Sequence, residues 1–252
     1  MSITQNSSYM FVGDSITRYL YFGLLQEFCA QNQARCDNLP EGALAYARCS
    51  GHTMTDITTS SKLSYVAQHY GLIPSELVTK PTGVVFWNSG LWLLSENVNK
   101  ADIHAEYSAV VSSALDLCKK SLVERFYLVE TLLGQGGLQG NLDGGELNVI
   151  LQEEYSRRVS PPFDQCLRIA PLTWHANDWA HIQKDRVHPT ILASVSLAKV
   201  LWQFLSDTTD GGVGCQPTPH ESISMIDAKL SNMWCSTMQS ATMERKVKWL
   251  KF

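Results

Sequence analysis

Tyr9-Met10-Phe11-Val12 is a run of four apolar residues stopped by Gly13, and an apolar-rich segment from Ile16 to Phe28 follows almost at once. Four residues are too few for a buried helix, so the run reads as a strand covered on both faces, as in a parallel sheet. The segment after it, with Leu20, Leu24, Leu25 and Phe28, reads as a helix. The same alternation returns along the chain. Gly83 to Trp87, Arg125 to Val129 and Cys166 to Leu172 read as strands. Ala101 to Lys120, Leu147 to Val159 and Thr190 to Leu205 read as helices, the first with Ile103, Tyr107, Val110, Val111, Ala114, Leu115 and Cys118 on one stripe. Leu44 to Cys49 is expected to be a further strand, Ser50 to Thr55 a polar loop, and Ser60 to Tyr70 a helix. Short strands separated by long helices imply an α/β sandwich, a parallel sheet with helices on both faces.

The expected catalytic-type domain is residues 1–206. Residues 207–220, rich in Gly, Asp, Thr and Pro, read as a linker, and 221–252 as a C-terminal helical appendage packed on the domain. That appendage carries Met225, Met233, Trp234, Met238, Met243 and Trp249 and ends basic, so a membrane-surface or partner contact is its sharper reading. Gly134 to Gly145 holds six glycines and reads as a surface loop. The apolar fraction of 44% supports a sizeable core, and the net charge of −4 lacks the basic excess that nucleic acid or anionic membrane requires. No apolar run approaches the roughly 20 residues of a membrane span. Met1 to Ser8 is short and polar, which gives a cytoplasmic expectation, or a lumenal or secreted one if the chain is an excised domain. The seven cysteines contain no CxxC pair, so no metal cluster is expected. They read as free thiols, or as a Cys29–Cys36 or Cys36–Cys49 disulfide in an oxidising compartment.

Two segments carry candidate chemistry. Gly13-Asp14-Ser15-Ile16-Thr17-Arg18 joins the first strand to the first helix, at the strand end where ligands of open α/β sheets bind. A serine there presents its hydroxyl, and its own N–H leaves the first turn free to stabilise an anion. The plainer reading makes Ser15 an N-cap and Gly13 a turn glycine. Asp185-Arg186-Val187-His188-Pro189-Thr190 precedes the last long helix. Its spacing of three lets the Asp185 carboxylate hold one imidazole nitrogen while the other faces a nucleophile as general base. The plainer reading is an exposed His188 paired with Asp185, and His175 and His181 are rival bases. Two loops between these segments offer oxyanion donors: the N–H of Gly51 and the side-chain amide of Asn88.

In chain order these pieces resemble the blocks of the SGNH (GDSL-like) hydrolases, over residues 9 to 205: a Gly-Asp-Ser serine, a glycine, an asparagine and a late Asp-x-x-His. The resemblance implies a three-layer α/β/α sandwich of the flavodoxin-like kind with a parallel sheet of about five strands. It also implies a triad of Ser15, Asp185 and His188 and an oxyanion hole of Ser15, Gly51 and Asn88. Arg18 completes a GDS-x-x-R pattern, and Asn88 to Trp92 reads N-x-G-x-W in place of the usual GxND. Both are similar to the PC-esterase branch, which includes trichome-birefringence-like and sialic acid O-acetyltransferases. That narrower likeness implies a glycan or small-molecule ester substrate, with Arg18, Asp14, Gly90 and Trp92 as substrate-contacting or site-supporting residues, Arg18 either orienting the Ser15 loop or binding a substrate oxygen. Arg18 has a plainer reading too, as a partner of Asp14, and Gly90 or Ser89 stands as an alternative donor to Asn88. Trp87, Trp92 and Trp174 fit a sugar-stacking wall or core packing equally. The expected activity is a serine esterase acting on acyl, chiefly acetyl, esters without metal or cofactor. An O-acetyltransferase to a glycan hydroxyl and a non-catalytic glycan-binding module on the same fold are the alternatives.

Overall fold

The computed structural model describes residues 7–30, 51–55, 60–68, 82–88, 90, 93, 99–131, 144–170, 172, 188, 193–199 and 201. Outside these lie the expected strand at 44–49, the glycine-rich loop (apart from its last two residues), Asp185, Trp92, Trp174, His175, His181, the linker and the C-terminal appendage. The partners proposed for Cys29, namely Cys36, and for Cys36, namely Cys49, also lie outside.

The elements in chain order are β1 (Ser8–Gly13), α1 (Ser15–Ala30), β2 (Gly51–Thr55), β3 (Lys62–Ala67), β4 (Thr82–Asn88), α2 (Lys100–Lys119), β5 (Val123–Val129), α3 (Gly144–Arg158) and β6 (Leu167–Ala170). Residues 193–199 form a further helix, α4. The six strands make one sheet in the order β2-β3-β1-β4-β5-β6. The five from β3 to β6 are parallel, and β2 adds an antiparallel edge.

Alternation along the strands splits the core into two layers. Tyr9, Phe11, Leu63, Tyr65, Phe86 and Tyr127 face α1 and α4. Val12, Val85, Trp87, Phe126 and Leu128 face α2 and α3. Helices therefore cover both faces, the α/β/α arrangement the alternating runs demand. From Ile16 to Leu25 only Arg18 is not buried, so α1 is apolar nearly all round, as a helix sunk in the core must be.

β3 departs from expectation. Leu63, Val66, Ala67 and Tyr70 fit helical spacing, but Leu63 and Tyr65 are buried while Lys62 is exposed and Ser64 half-buried. A six-residue segment fits both periods, and pairing with β1 along its whole length decides for the strand.

Cys118 at the end of α2 is disulfide-bonded to Cys166 before β6, across 48 residues of chain. This pairing was not among those the cysteine spacing suggested. Closing a loop of that size removes about 4 kcal/mol of chain entropy from the unfolded state. Cys118→Ser/Cys166→Ser protein is expected to lose stability of that order in urea denaturation. Its turnover when folded should be unchanged, because this crosslink sits at the amino ends of the strands.

Across the α2–α3 contact, His104 lies 3.0 Å from the buried Glu154 carboxylate, which Arg157 (2.9 Å) and Arg158 (3.4 Å) also engage. Burial alone would raise the Glu154 pKa, but the hydrogen bond from His104 and the two guanidiniums hold it below the ordinary value of 4.5. A lowered folded-state pKa stabilises the fold above the unfolded value and loses that stabilisation as pH falls through the folded one. Glu154→Gln should therefore cost about 1–2 kcal/mol at pH 7. The gap to wild type should narrow below pH 4 in a denaturation series.

Candidate active site

The parallel strands run β3-β1-β4-β5-β6, the doubly wound order in which the connection reverses direction between β1 and β4. The helices that follow those two strands, α1 and α2, pack on opposite faces of the sheet, and architectures of this kind bind ligands at the carboxyl ends of the strands where that reversal occurs. Gly13-Asp14-Ser15 leaves β1 there and Asn88 ends β4 beside it.

The β1–α1 turn is built around a close approach. Gly13 has φ of +154°, and a Cβ on it would lie 1.7 Å from the Asn88 carbonyl oxygen and 2.4 Å from Thr17 Oγ1. The Asn88 carbonyl accepts hydrogen bonds from the Asp14 N–H (3.2 Å) and the Thr17 hydroxyl (3.0 Å), tying α1's first turn to β4. The Tyr65 hydroxyl, from β3, donates to the carbonyls of Gly13 and Asp14, both at 3.2 Å. Two neighbouring strands, β3 and β4, thus hold the turn that leaves β1.

Asp14, not Ser15, caps α1. Its Oδ1 accepts from the N–H of Ile16 at 2.8 Å and of Thr17 at 3.4 Å. Those are the second and third amides of the helix, and a buried carboxylate at the positive end of the helix dipole is favourably placed. The cap leaves the Ser15 hydroxyl with no structural duty in the helix. The Ser15 N–H is a first-turn amide with no acceptor inside α1. Within residues 14–25, Ser15 and Arg18 alone are part-exposed, one turn apart.

His188 Nε2 stands 2.7 Å from Ser15 Oγ, although 173 residues separate them. The Tyr19 ring lies beside the imidazole, with centroids 5.3 Å apart and planes inclined by 32°. A serine hydroxyl on an imidazole nitrogen at a helix amino end can lose its proton to that nitrogen and attack an electrophile, with the Ser15 amide near the negative charge that results.

Other expected residues fall elsewhere. Asn88 is buried, and its amide nitrogen donates to the Val129 carbonyl (2.7 Å) and to Thr131 Oγ1 (3.3 Å). With both N–H groups engaged, the Asn88 side chain joins β4 to β5 and does not meet the expectation of an oxyanion donor. Its Oδ1 is buried with no hydrogen-bond partner. Gly51 opens β2 opposite Val66, which pairs in turn with Val12. It stands two strand spacings, about 10 Å, from β1, and the loop expected at Ser50 to Thr55 is an edge strand from Gly51 onward. Trp87 is buried at 1% exposure against Tyr107, so it belongs to the core and not to a sugar-facing wall. Gly90 packs so tightly on Thr131 that a Cβ would lie 1.9 Å from its Oγ1.

Thr131 was not anticipated. Its backbone is fixed by Asn148, whose Oδ1 accepts the Thr131 N–H at 2.7 Å and whose Nδ2 donates to the Thr131 carbonyl at 2.9 Å. Its hydroxyl also meets the buried Tyr107 phenol, whose pKa burial pushes well above the ordinary value. A lone threonine after a strand gives no sequence signal of such a role. Tyr19 carries no signal of its own in the sequence beyond its place four residues from Ser15, which puts the two on one helix face.

Among the described residues no helix is long and apolar enough to cross a membrane, and no group of three His, Cys, Asp or Glu could hold a metal ion. No protein-family model and no curated protein sequence matches this chain. Among solved structures the chain is similar to a mutant of Axe2, an acetyl-xylooligosaccharide esterase from a Geobacillus species. The identity is 15% and the TM-score 0.42, over 81% of this chain and 95% of that one.

Proposed function

We propose that this chain is a serine esterase of the SGNH type that hydrolyses acyl esters, with acetyl esters of carbohydrates as the substrate class. The observation that carries the reading is the 2.7 Å contact between Ser15 Oγ and His188 Nε2, made at the amino end of α1. In the proposed reaction His188 takes the Ser15 proton as Oγ attacks the ester carbonyl. The carbonyl π electrons move to oxygen, where the Ser15 N–H meets the charge. Collapse expels the alcohol, which receives the proton from His188, and leaves an acyl-serine. Water, deprotonated by His188, then attacks the acyl carbon; the Oγ–acyl bond breaks, Ser15 Oγ takes the proton back from His188, and the acid leaves. Asp185 is assigned the second imidazole nitrogen from its spacing. Arg18, half-exposed one turn beyond Ser15, is assigned to substrate oxygens.

The acetyl and carbohydrate parts of the proposal rest on the GDS-x-x-R and N-x-G-x-W patterns. The Cys118–Cys166 disulfide supports an oxidising compartment, lumenal or secreted. The test is turnover of p-nitrophenyl acetate and of acetylated oligosaccharides, with intact-mass detection of an acetyl group on Ser15. Acetate release that requires Ser15 supports the esterase. Acetylated glycan as the main product would replace it with the transferase, and no turnover or acylation of folded protein would sink both.

A further inference from the structure

We infer that Tyr19 is a positioning residue for His188, holding the imidazole against Ser15; this rests on the serine-esterase reading above. Ser15 and Tyr19 are four residues apart on α1, so their side chains lie one above the other on a single helix face. That face continues to Gly23, where a Cβ would lie 2.4 Å from the Ser194 carbonyl oxygen and 2.5 Å from its carbon. Three successive turns of α1 therefore meet one late segment of the chain. Ser15 reaches His188 by hydrogen bond, Tyr19 reaches the same imidazole by ring contact, and Gly23 admits the backbone of α4 at Ser194.

The arrangement answers a problem the topology creates. His188 is brought in from a loop and not from a strand or helix of the sheet's centre, and it is only half-buried. Its Nε2 must stay within hydrogen-bond reach of an atom on a different element. Tyr19 is 2% exposed and packed in the core with Ile16 and Leu20, so its ring is fixed by its surroundings. A fixed flat surface 5.3 Å from the imidazole restricts the tilt of that ring. The nucleophile and the wall behind its base are thus carried by one rigid helix, and displacing a reacting group by about 1 Å can cost on the order of 10²-fold in rate.

The experiment compares wild type with Tyr19→Phe, Tyr19→Leu and Tyr19→Met on p-nitrophenyl acetate, with melting curves for each. Tyr19→Leu and Tyr19→Met remove the flat ring while keeping apolar volume, and Met adapts to an irregular core gap. The expected result is a fall in kcat of roughly 10- to 100-fold with KM little changed, and near wild-type kcat for Tyr19→Phe. Equal kcat in a folded Leu or Met variant, or a loss in Tyr19→Phe as large as theirs, overturns the proposal. A readout on intact wild-type protein stands whether or not the variants fold. The His188 ring protons, assigned by their disappearance in His188→Gln, should show an aromatic ring-current shift in the NMR spectrum. Its absence also overturns the proposal. If wild type has no turnover and Ser15 resists fluorophosphonate, it is the esterase reading that fails. Wild-type activity that needs Ser15 but ignores Tyr19 defeats this inference alone.

Discussion

Ser15→Ala protein is expected to melt like wild type and to lose ester turnover by on the order of 10⁴-fold or more, the effect of removing the nucleophile from a serine hydrolase. The structural half of this expectation comes from Asp14. Because Asp14 Oδ1 satisfies the Ile16 and Thr17 amides, the Ser15 hydroxyl is not the cap, and its removal takes no hydrogen bond from the helix end. Exposure at Ser15 also means that no buried cavity is opened. Asp14→Ala should show the reverse pattern, destabilising by about 1 kcal/mol through the lost cap. His188→Ala should match Ser15→Ala in turnover, and the double variant should fall no further than either single one, since the two act as a unit. Labelling by a fluorophosphonate followed by intact mass checks the assignment of Ser15: one adduct on wild type, none on Ser15→Ala. A folded Ser15→Ala protein that keeps its activity would remove Ser15 from the mechanism.

Gly13→Ala is expected to have the second large effect, on fold and site together. The added methyl would sit 1.7 Å from the Asn88 carbonyl oxygen, a backbone atom that the Asp14 N–H and the Thr17 hydroxyl already hold. No side chain can swing aside to make room. Either the end of β4 moves or the turn leaves it, and both break the hydrogen bonds that seat α1. Overpacking costs about 1–3 kcal/mol, and a φ of +154° adds strain for any residue with a Cβ. A loss of about 3 kcal/mol or more follows, read as a fall in melting temperature of roughly 10 °C. Turnover of the fraction that remains folded should drop further, because Ser15 is only two residues from the displaced atom. Unchanged stability would mean that the β1–β4 approach is looser than described.

Much of this was legible from the chain alone. The runs ending at Gly13, Trp87 and Val129 are strands because a short all-apolar segment can be satisfied only between two helical layers. The stripe from Ile103 to Cys118 is a helix because its period admits nothing else over so long a stretch. A serine after the first strand and a histidine before the last helix could be singled out because their chemistry is written in local spacing.

What spacing could not carry was any relation across the fold. The β3 segment reads as helix until β1 pairs with it. Asn88 looks like a free amide until Val129 and Thr131 occupy its two N–H groups. Gly51 looks like a loop donor until β2 hydrogen-bonds at the sheet edge. The Cys118–Cys166 pair, 48 positions apart, leaves no mark on the residues between its members.

The sequence by itself determined the α/β class and singled out Ser15 and His188 as candidate groups, because both follow from local periodicity and side-chain chemistry. Only the tertiary structure decided which groups meet. Ser15 and His188 are joined by the crossing of α1 with the chain's late segment, where Gly23 lets the α4 backbone come close at Ser194, while Gly13 lets the turn that carries Ser15 seat against the end of β4.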